Sequence, residues 1–300
     1  MKITKRVELT GHAASIYAVI AKEGKVYTAS GDKFVARWNV QEAKQDNFAI
    51  KSESSIYALT VLQNTSVLII GTSSGTFHVI DIVQKKELHH FVQHTVAIFS
   101  IQENYTNNQV YITDADGNLS IWDKKTWELI LFLPLLVGKI RNVLVAEDGK
   151  SVFLACQDGT IRSFDTQFFN EKSVIKAHKD GVNCLAFFPE KKNVLMSGGK
   201  DGYLRVWDLN TNTRVLEIPA HNFGIYKIEF FNNGKHFCTA SRDKSIKIWD
   251  ASDCSVITKL ERKQGGHSHA VNDICKLKED VLCSVSDDKR IIIWDVSTES

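Results

Sequence analysis

The 300 residues carry 37 Lys+Arg against 35 Asp+Glu, 43% hydrophobic residues, 6 Cys and 3 Pro. That hydrophobic share supplies a packed core and excludes a disordered chain, while a formal net charge of +2 excludes nucleic-acid or anionic-membrane binding driven by net charge. At about 100–200 residues per domain, the length alone points to two domains.

No apolar run approaches the roughly 20 residues a membrane helix needs. The longest, Leu129 to Val137, is interrupted by Pro134. The opening Met1-Lys2-Ile3-Thr4-Lys5-Arg6 lacks the apolar stretch of a secretory signal. Cys156, Cys184, Cys238, Cys254, Cys275 and Cys283 sit mostly inside apolar runs, and none forms a C-x-x-C pair. They read as reduced small hydrophobes in a cytoplasmic protein, not as a disulfide framework or zinc site.

In chain order, the first strand-like run is Lys5-Arg6-Val7-Glu8-Leu9-Thr10. It stands ahead of a repeat. An aromatic or apolar residue followed by a polar one recurs at Trp38-Asn39, Ile80-Asp81, Trp122-Asp123, Phe164-Asp165, Trp207-Asp208, Trp249-Asp250 and Trp294-Asp295, in steps of 42, 42, 42, 43, 42 and 45 residues. A fixed period of this length marks a repeat architecture. Each period is predicted to hold four short β-strands. Asp116-Gly117, Asp148-Gly149, Asp158-Gly159 and Asp201-Gly202 supply turns between them. In the third copy the last strand, Leu129 to Leu133, is apolar on both faces. Either a partner covers it, or the loop Leu135-Leu136-Val137 folds inward. The sixth copy shows all four strands: Gly224 to Phe230, Lys235 to Ala240 after the Asn233-Gly234 turn, Ser245 to Trp249, and Val256 to Leu260. Such alternation between tight turns is the pattern of antiparallel hairpins. Before the seventh copy, Glu261-Arg262-Lys263-Gln264-Gly265 lengthens the connection. No stretch sustains helical periodicity.

Four-stranded units of about 40–45 residues with a Gly-His early and a Trp-Asp late resemble the WD-repeat (WD40) β-propeller family. Gly11-His12 and Gly266-His267 carry the first dipeptide in full; His94, His178 and His221 carry the histidine alone. The resemblance covers essentially the whole chain. It implies an all-β, seven-bladed propeller of four-stranded antiparallel blades in one domain over 1–300. The seventh copy lacks a fourth strand, so residues 2–10 are expected to complete blade 7 and close the ring, with no extension at either end. Pairing the two ends would remove an exposed edge.

The resemblance also implies a buried hydrogen-bond chain of Trp, Ser, His and Asp. The matching sets are His12, Ser30, Asp32 and Trp38; His221, Ser241, Asp243 and Trp249; and His267, Ser286, Asp288 and Trp294. His267 is preferred to His269 because it stands four residues before Val271, as His12 stands four before Ile16. A Ser/His/Asp set also suits nucleophilic catalysis. Three sets at one place in a repeat argue against a unique catalytic site, so no catalytic residue is expected. The second copy carries Ser52, Thr72 and Ile80 at the His, Ser and Trp positions, and the fourth Leu136, Cys156 and Phe164. Losing both ends together fits a buried polar network replaced by apolar groups. Gly199 leaves the fifth set as His178, Asp201 and Trp207, and Asp114 beside Asp116 and His94 in the third reads as an ion pair.

Members of the family bind partners, mostly peptides and proteins, on the narrower face. The residue after the first apolar position of each innermost strand points there: Tyr17, Tyr57, Phe99, Arg141, Asn183, Tyr226 and Asn272. Lys200, Arg242 and Asp287, each just before a turn aspartate or its equivalent, join them with Gln157 and Ser73. Aromatic residues with an arginine form the composition of an interface hot spot. His90/His94 and His267/His269 lack further ligands for a metal, and no Gly-rich phosphate loop implies a nucleotide cofactor. The expected function is a non-catalytic scaffold for one or more proteins or peptides, alone or within a larger complex and away from membranes. The alternative is a small-molecule or catalytic propeller, with Arg141, Lys200 and Arg242 holding an anion. RNA binding by basic residues among the tyrosines ranks last.

Overall fold

Short alternating runs between left-handed turns fold as strands throughout. The computed structural model describes residues 1–189 and 191–297. β1 (Lys2–Thr10) comes first. Blade 1 is β2 (Ile16–Lys22), β3 (Lys25–Ser30), β4 (Phe34–Asn39) and β5 (Lys44–Lys51); blade 2 is β6 (Ile56–Val61), β7 (Val67–Thr72), β8 (Thr76–Asp81) and β9 (Lys86–Val92). Blade 3 is β10 (Ile98–Asn104), β11 (Gln109–Asp114), β12 (Asn118–Asp123) and β13 (Leu129–Pro134); blade 4 is β14 (Ile140–Val145), β15 (Ser151–Cys156), β16 (Thr160–Asp165) and β17 (Glu171–Lys176). Blade 5 is β18 (Val182–Phe187), β19 (Val194–Gly199), β20 (Tyr203–Asp208) and β21 (Thr213–Pro219); blade 6 is β22 (Ile225–Phe231), β23 (His236–Ser241), β24 (Ile246–Asp250) and β25 (Val256–Leu260). β26 (Val271–Lys278), β27 (Val281–Ser286) and β28 (Arg290–Ser297) form blade 7 with β1 on their outer side. The fold is a seven-bladed β-propeller of four-stranded antiparallel sheets. The extra length at 261–265 holds a single 3₁₀ turn, Arg262–Gln264.

Blades 6, 7 and 1 make one compact unit and blades 2 to 5 another. In the first, β1 runs antiparallel to β28, with Leu9 opposite Ile291. Leu9, 2% exposed, packs with Ile16, Val26 and Trp38 of blade 1 and Val281, Cys283 and Ile293 of blade 7. A bulge between Lys5 and Val7 releases Arg6, whose guanidinium pairs with Asp295. In the second unit, blades meet through clusters such as Ile69, Phe77, Ile98 and Trp122. The second strand of each blade is almost wholly buried, while outer strands such as β9 are mostly exposed. None of the six cysteines is in a disulfide; five are buried and Cys275 is half-buried. Burial pushes the Cys156 thiol up to about 12.

β13 resolves its two apolar faces locally. Leu131 and Leu133 pack with Leu135 onto Val137, Ile140, Leu154 and Phe164. The Phe132 ring lies 5.6 Å from that of His94. Leu129 and Ile130 remain exposed, and Leu136, with φ +55°, points into solvent.

Plain alternation does not describe the innermost strands. Each one with a resolved register opens on a bulge: Ile16 pairs Ser30 but Ala18 pairs Ala29, so the register skips Tyr17. The register skips Phe99, Arg141, Asn183, Tyr226 and Asn272 in the same way. An extra residue in one strand redirects its side chain out of the ladder. The residue that follows can turn to the next blade. Ser100 Oγ accepts Val143 N–H over 3.1 Å, Asn142 Oδ1 accepts Leu185 N–H over 2.9 Å, and Asp273 Oδ2 accepts Val19 N–H over 2.9 Å.

Candidate functional site

The bulge residues and the turn residues beside them gather at the same ends of their hairpins. In the unit of blades 2 to 5, the Tyr57 and Phe99 rings stack at 5.6 Å and 28°. The Arg141 guanidinium lies 5.1 Å from the Phe99 ring and Lys139 Nζ 5.7 Å from it. Cations over an aromatic face attract its electron density. Gln157 is exposed and its Oε1 accepts the Lys139 amide over 3.1 Å. Asn183 is buried, Ser73 is half-buried, and Lys200 is exposed with its N–H held 2.9 Å from Gly181 O.

In the unit of blades 6, 7 and 1, Tyr17 and Tyr226 are half-buried. A Cβ on Gly31 would come within 3.2 Å of Tyr17 Cε2, so the glycine makes room for that ring. Asn272 Nδ2 donates to Asp287 Oδ1 and to Ile16 O, both over 2.8 Å. Arg242 is exposed, its guanidinium 6.0 Å from the Phe223 ring. Lys139 and Phe223, the latter 57% exposed, carry no sequence signature. Both lie in the connection from an outer strand to the next inner one, where the repeat fixes few residues and only position relative to the histidine marks them.

The histidine networks differ from their expected composition in one member. His12 Nδ1 lies 2.8 Å from Asp32, His12 Nε2 lies 2.8 Å from Thr28 Oγ1, and Trp38 Nε1 donates to that oxygen over 2.7 Å. Blade 6 uses His221, Asp243, Thr239 and Trp249, and blade 7 uses His267, Asp288, Ser284 and Trp294. The linking hydroxyl is therefore Thr28, Thr239 or Ser284, and not Ser30, Ser241 or Ser286. Both positions share a face of the second strand, but the serine lies two residues, about 7 Å, farther along and beyond the indole. Ser30 and Ser241 instead donate to Ser15 O and Gly224 O and accept the Asp32 and Asp243 amides. Ser286 accepts the Asp288 amide.

Blade 5 is complete as well. Ser197 Oγ lies 2.8 Å from His178 Nε2 and accepts Trp207 Nε1–H over 2.9 Å. Gly199 does not interrupt this set. A Cβ there would stand 2.1 Å from His178 Nδ1. In blade 3 the hydroxyl has crossed the ladder: Ile112 occupies the usual position and its direct partner Ser120 bonds both His94 and Trp122. Asp114 lies 2.7 Å from His94 Nδ1 and also accepts from Asn118. Blades 2 and 4 carry Ile70 and Leu154 at the hydroxyl position, both buried. Val137, not Leu136, fills the histidine space of blade 4.

Indole N–H only donates, so the order runs Trp N–H to hydroxyl oxygen, hydroxyl to His Nε2, and His Nδ1–H to carboxylate. Burial drives the His178 and His221 pKa values down, against the pull of Asp201 and Asp243, and keeps both rings neutral. Burial alone would raise the Asp243 carboxyl. Hydrogen bonds from His221, Ser245 and the Asn222 amide hold it far below the carboxylate range. Asp201 and Asp288 are depressed in the same way. A nucleophile needs an accessible oxygen, and Thr28, Ser120, Ser197, Thr239 and Ser284 are all 0% exposed. These sets are structural ties. Among the described residues no three His, Cys, Asp or Glu side chains are grouped to hold a metal, and no helix is long and apolar enough to cross a membrane.

The WD domain, G-beta repeat family model matches residues 169–208, 212–250 and 258–295, and the LRRK2 beta propeller model matches residues 5–131. Human cilia- and flagella-associated protein 52 is 25% identical over 252 residues, 82% of this chain and 40% of that protein. Mouse kinesin-like protein KIF21B is 23% identical over 317 residues, 95% of this chain and 18% of that protein. Protein tipD of Dictyostelium discoideum is 21% identical over 293 residues, 95% of this chain and 48% of that protein. The chain spans less than half the length of these curated relatives. Seven four-stranded blades, five of them tied by a Trp–hydroxyl–His–Asp chain, and these matches together mean that the chain belongs to the WD-repeat β-propeller family.

Proposed function

We propose that this chain is a non-catalytic scaffold that binds a protein or peptide through its bulge residues on the narrower face. The carrying observation is the stacked Tyr57–Phe99 pair with Arg141 and Lys139 against it. Rigid aromatics with an arginine give large contact area for little loss of side-chain entropy, the makeup of an interface hot spot. Within the unit of blades 6, 7 and 1, Tyr17, Tyr226, Arg242, Asn272 and Asp287 supply residues of the same kind at the equivalent positions. The burial of every histidine-linked hydroxyl supports a binding role over a hydrolytic one. Likeness to cilia- and flagella-associated protein 52 supports a ciliary setting as a more specific proposal than a general cytoplasmic one.

The test is affinity capture from ciliated cells with the wild-type chain and a Tyr57→Ala/Tyr226→Ala double variant, with folding checked by thermal melting. A stoichiometric partner lost on the double variant supports the reading. A partner retained at equal yield by the folded variant overturns it. Tagged protein observed outside cilia refutes the ciliary setting alone.

A further inference from the structure

Blades 5 and 7 place asparagine in the same bulge with opposite outcomes. Asn272 Nδ2 has two acceptors, Ile16 O and Asp287 Oδ1. Asn183 is only 7% exposed, and its Nδ2 has none. One of the two acceptors is lost through a single exchange: where blade 7 carries Asp287, blade 5 carries Lys200, whose side chain only donates. Lys200 is held at the same hairpin end as Asn183 by its backbone bond to Gly181 O. The neighbouring blade adds Arg141 in the β14 bulge and Lys139 before it, and Asn142 ties β14 to β18 through Leu185. Two nearby acids are engaged elsewhere, Asp201 by His178 and Arg205 and Asp158 by Arg162; Asp180, exposed beside Gly181, is the acid set against Lys139, Arg141, Lys179 and Lys200. This end of the unit therefore combines a buried donor without an acceptor and a concentration of cations.

We infer that Asn183, Lys200 and Arg141 form a seat for an Asp or Glu side chain of the protein partner. The inference rests on the reading of the bulge residues as a partner surface and names the chemistry of what binds there. A carboxylate supplies acceptor oxygens to the Asn183 amide and charge-assisted bonds to Lys200 and Arg141. The Tyr57–Phe99 pair beside Arg141 takes an adjoining apolar or aromatic side chain. An uncharged amide ligand would satisfy Asn183 but bring no charge to Lys200.

Random peptides displayed on phage, selected on the whole chain and on a Lys200→Glu variant, test this. Peptides selected by the wild type are expected to share an Asp or Glu at one position. Replacing that residue by Asn or Gln weakens binding by about tenfold or more, and so does Asn183→Leu in the protein. The Lys200→Glu chain selects Lys or Arg instead. Asn183→Leu removes an unmet donor, so its melting temperature stays level or rises, whereas a structural role for the amide lowers it. Peptides that depend on Tyr57 but share no acidic position overturn this inference and leave the scaffold reading standing. Selection of no peptide sensitive to Tyr57, Phe99 or Arg141 overturns both. Inorganic phosphate binding at Lys200 without any acidic peptide selected marks a free-anion site and also overturns it.

Discussion

Thr239→Val isolates the hydroxyl at the centre of the blade 6 network with little change of shape. The hydroxyl accepts Trp249 Nε1–H over 2.9 Å and lies 2.7 Å from His221 Nε2, in a site with no solvent access. Its loss strands one buried donor and one buried acceptor. At about 1–3 kcal/mol for each unmet group, the cost is about 2–6 kcal/mol. With an unfolding entropy of about 2.1 cal/mol/K per residue, that lowers the melting temperature by roughly 3–10 °C for a chain of this length. Ser241→Ala removes a hydroxyl that ties Gly224 O to the Asp243 amide and costs about 1–2 kcal/mol. A triple variant, His221→Val/Thr239→Leu/Trp249→Phe, copies Val137, Leu154 and Phe164 of blade 4 and removes three of the four members, leaving Asp243 to Ser245 and the Asn222 amide. It is expected to recover part of the loss, since the indole, hydroxyl and imidazole are exchanged together for apolar groups. Differential scanning calorimetry on the four proteins decides the matter. A Ser241→Ala loss equal to or larger than that of Thr239→Val refutes the assignment of the hydroxyl. A triple variant no more stable than Thr239→Val refutes the argument from stranded partners.

Acid should weaken the fold in two stages. His178 and His221 are depressed by burial, so unfolding takes up protons that the folded chain refuses. Their stabilisation is complete above the unfolded pKa of about 6.5 and is lost as pH falls below it. Asp201, Asp243 and Asp288 are depressed too, and their contribution disappears as pH falls below the unfolded value of about 3.9. Urea midpoints should stay level from pH 8 to 7 and fall below about pH 6.5, where the loss from the histidines exceeds the gain from Glu229 and Asp273, whose carboxyls burial raises; a midpoint that rises between pH 7 and 5 contradicts this. Leu9→Ala, in the packed contact between β1 and blade 1, should cost about 2–5 kcal/mol and give concentration-dependent light scattering on warming as the β28 edge opens. A melt matching wild type would mean that β1 is dispensable. Asn142→Leu leaves the Leu185 amide without its acceptor and should cost about 1–3 kcal/mol, read as faster hydrogen exchange in β18. Unchanged exchange there would rule out the tie between the blades.

The period and the pairing of the chain ends were legible because they follow from patterns that survive burial. Trp or Phe recurs where a blade needs a large filler, and Leu9 and Val7 carry the spacing of an outer strand. The identity of the bonded hydroxyl was not legible. Thr28 and Ser30 lie on one face of one strand, both can donate and accept, and only the reach of the Trp38 indole separates them. Ser120 was harder still, since the hydroxyl there comes from the opposite strand and only the pairing Ile112↔Ser120 reveals the exchange. The bulge was hidden for a similar reason. One extra residue shifts register without altering which residues are apolar, so Ile16 and Tyr17 read as simple alternation while the ladder skips Tyr17 altogether.

That bulge explains how a repeat fold can carry a particular binding surface. On one side of it stands a residue fixed by packing, such as Ile16, Ile98, Ile140 or Val182, each buried in the core. On the other side Ser100, Asn142 or Asp273 is fixed by its bond to the next blade. The ladder register skips the residue between them, so the fold sets its position but not its chemistry. Tyr17, Phe99, Arg141, Asn183, Tyr226 and Asn272 therefore differ freely at one geometric place, while Trp38 and its equivalents vary little. Asn183 marks where this freedom reaches its limit. It is buried deeply enough for an unmet donor to cost stability, and such a cost is tolerated where something outside the chain supplies the acceptor. In the proposed binding role, specificity rests on single bulge and turn residues, and exchanging Lys200 for the acid found in blade 7 should convert one ligand preference into another without rebuilding the blade.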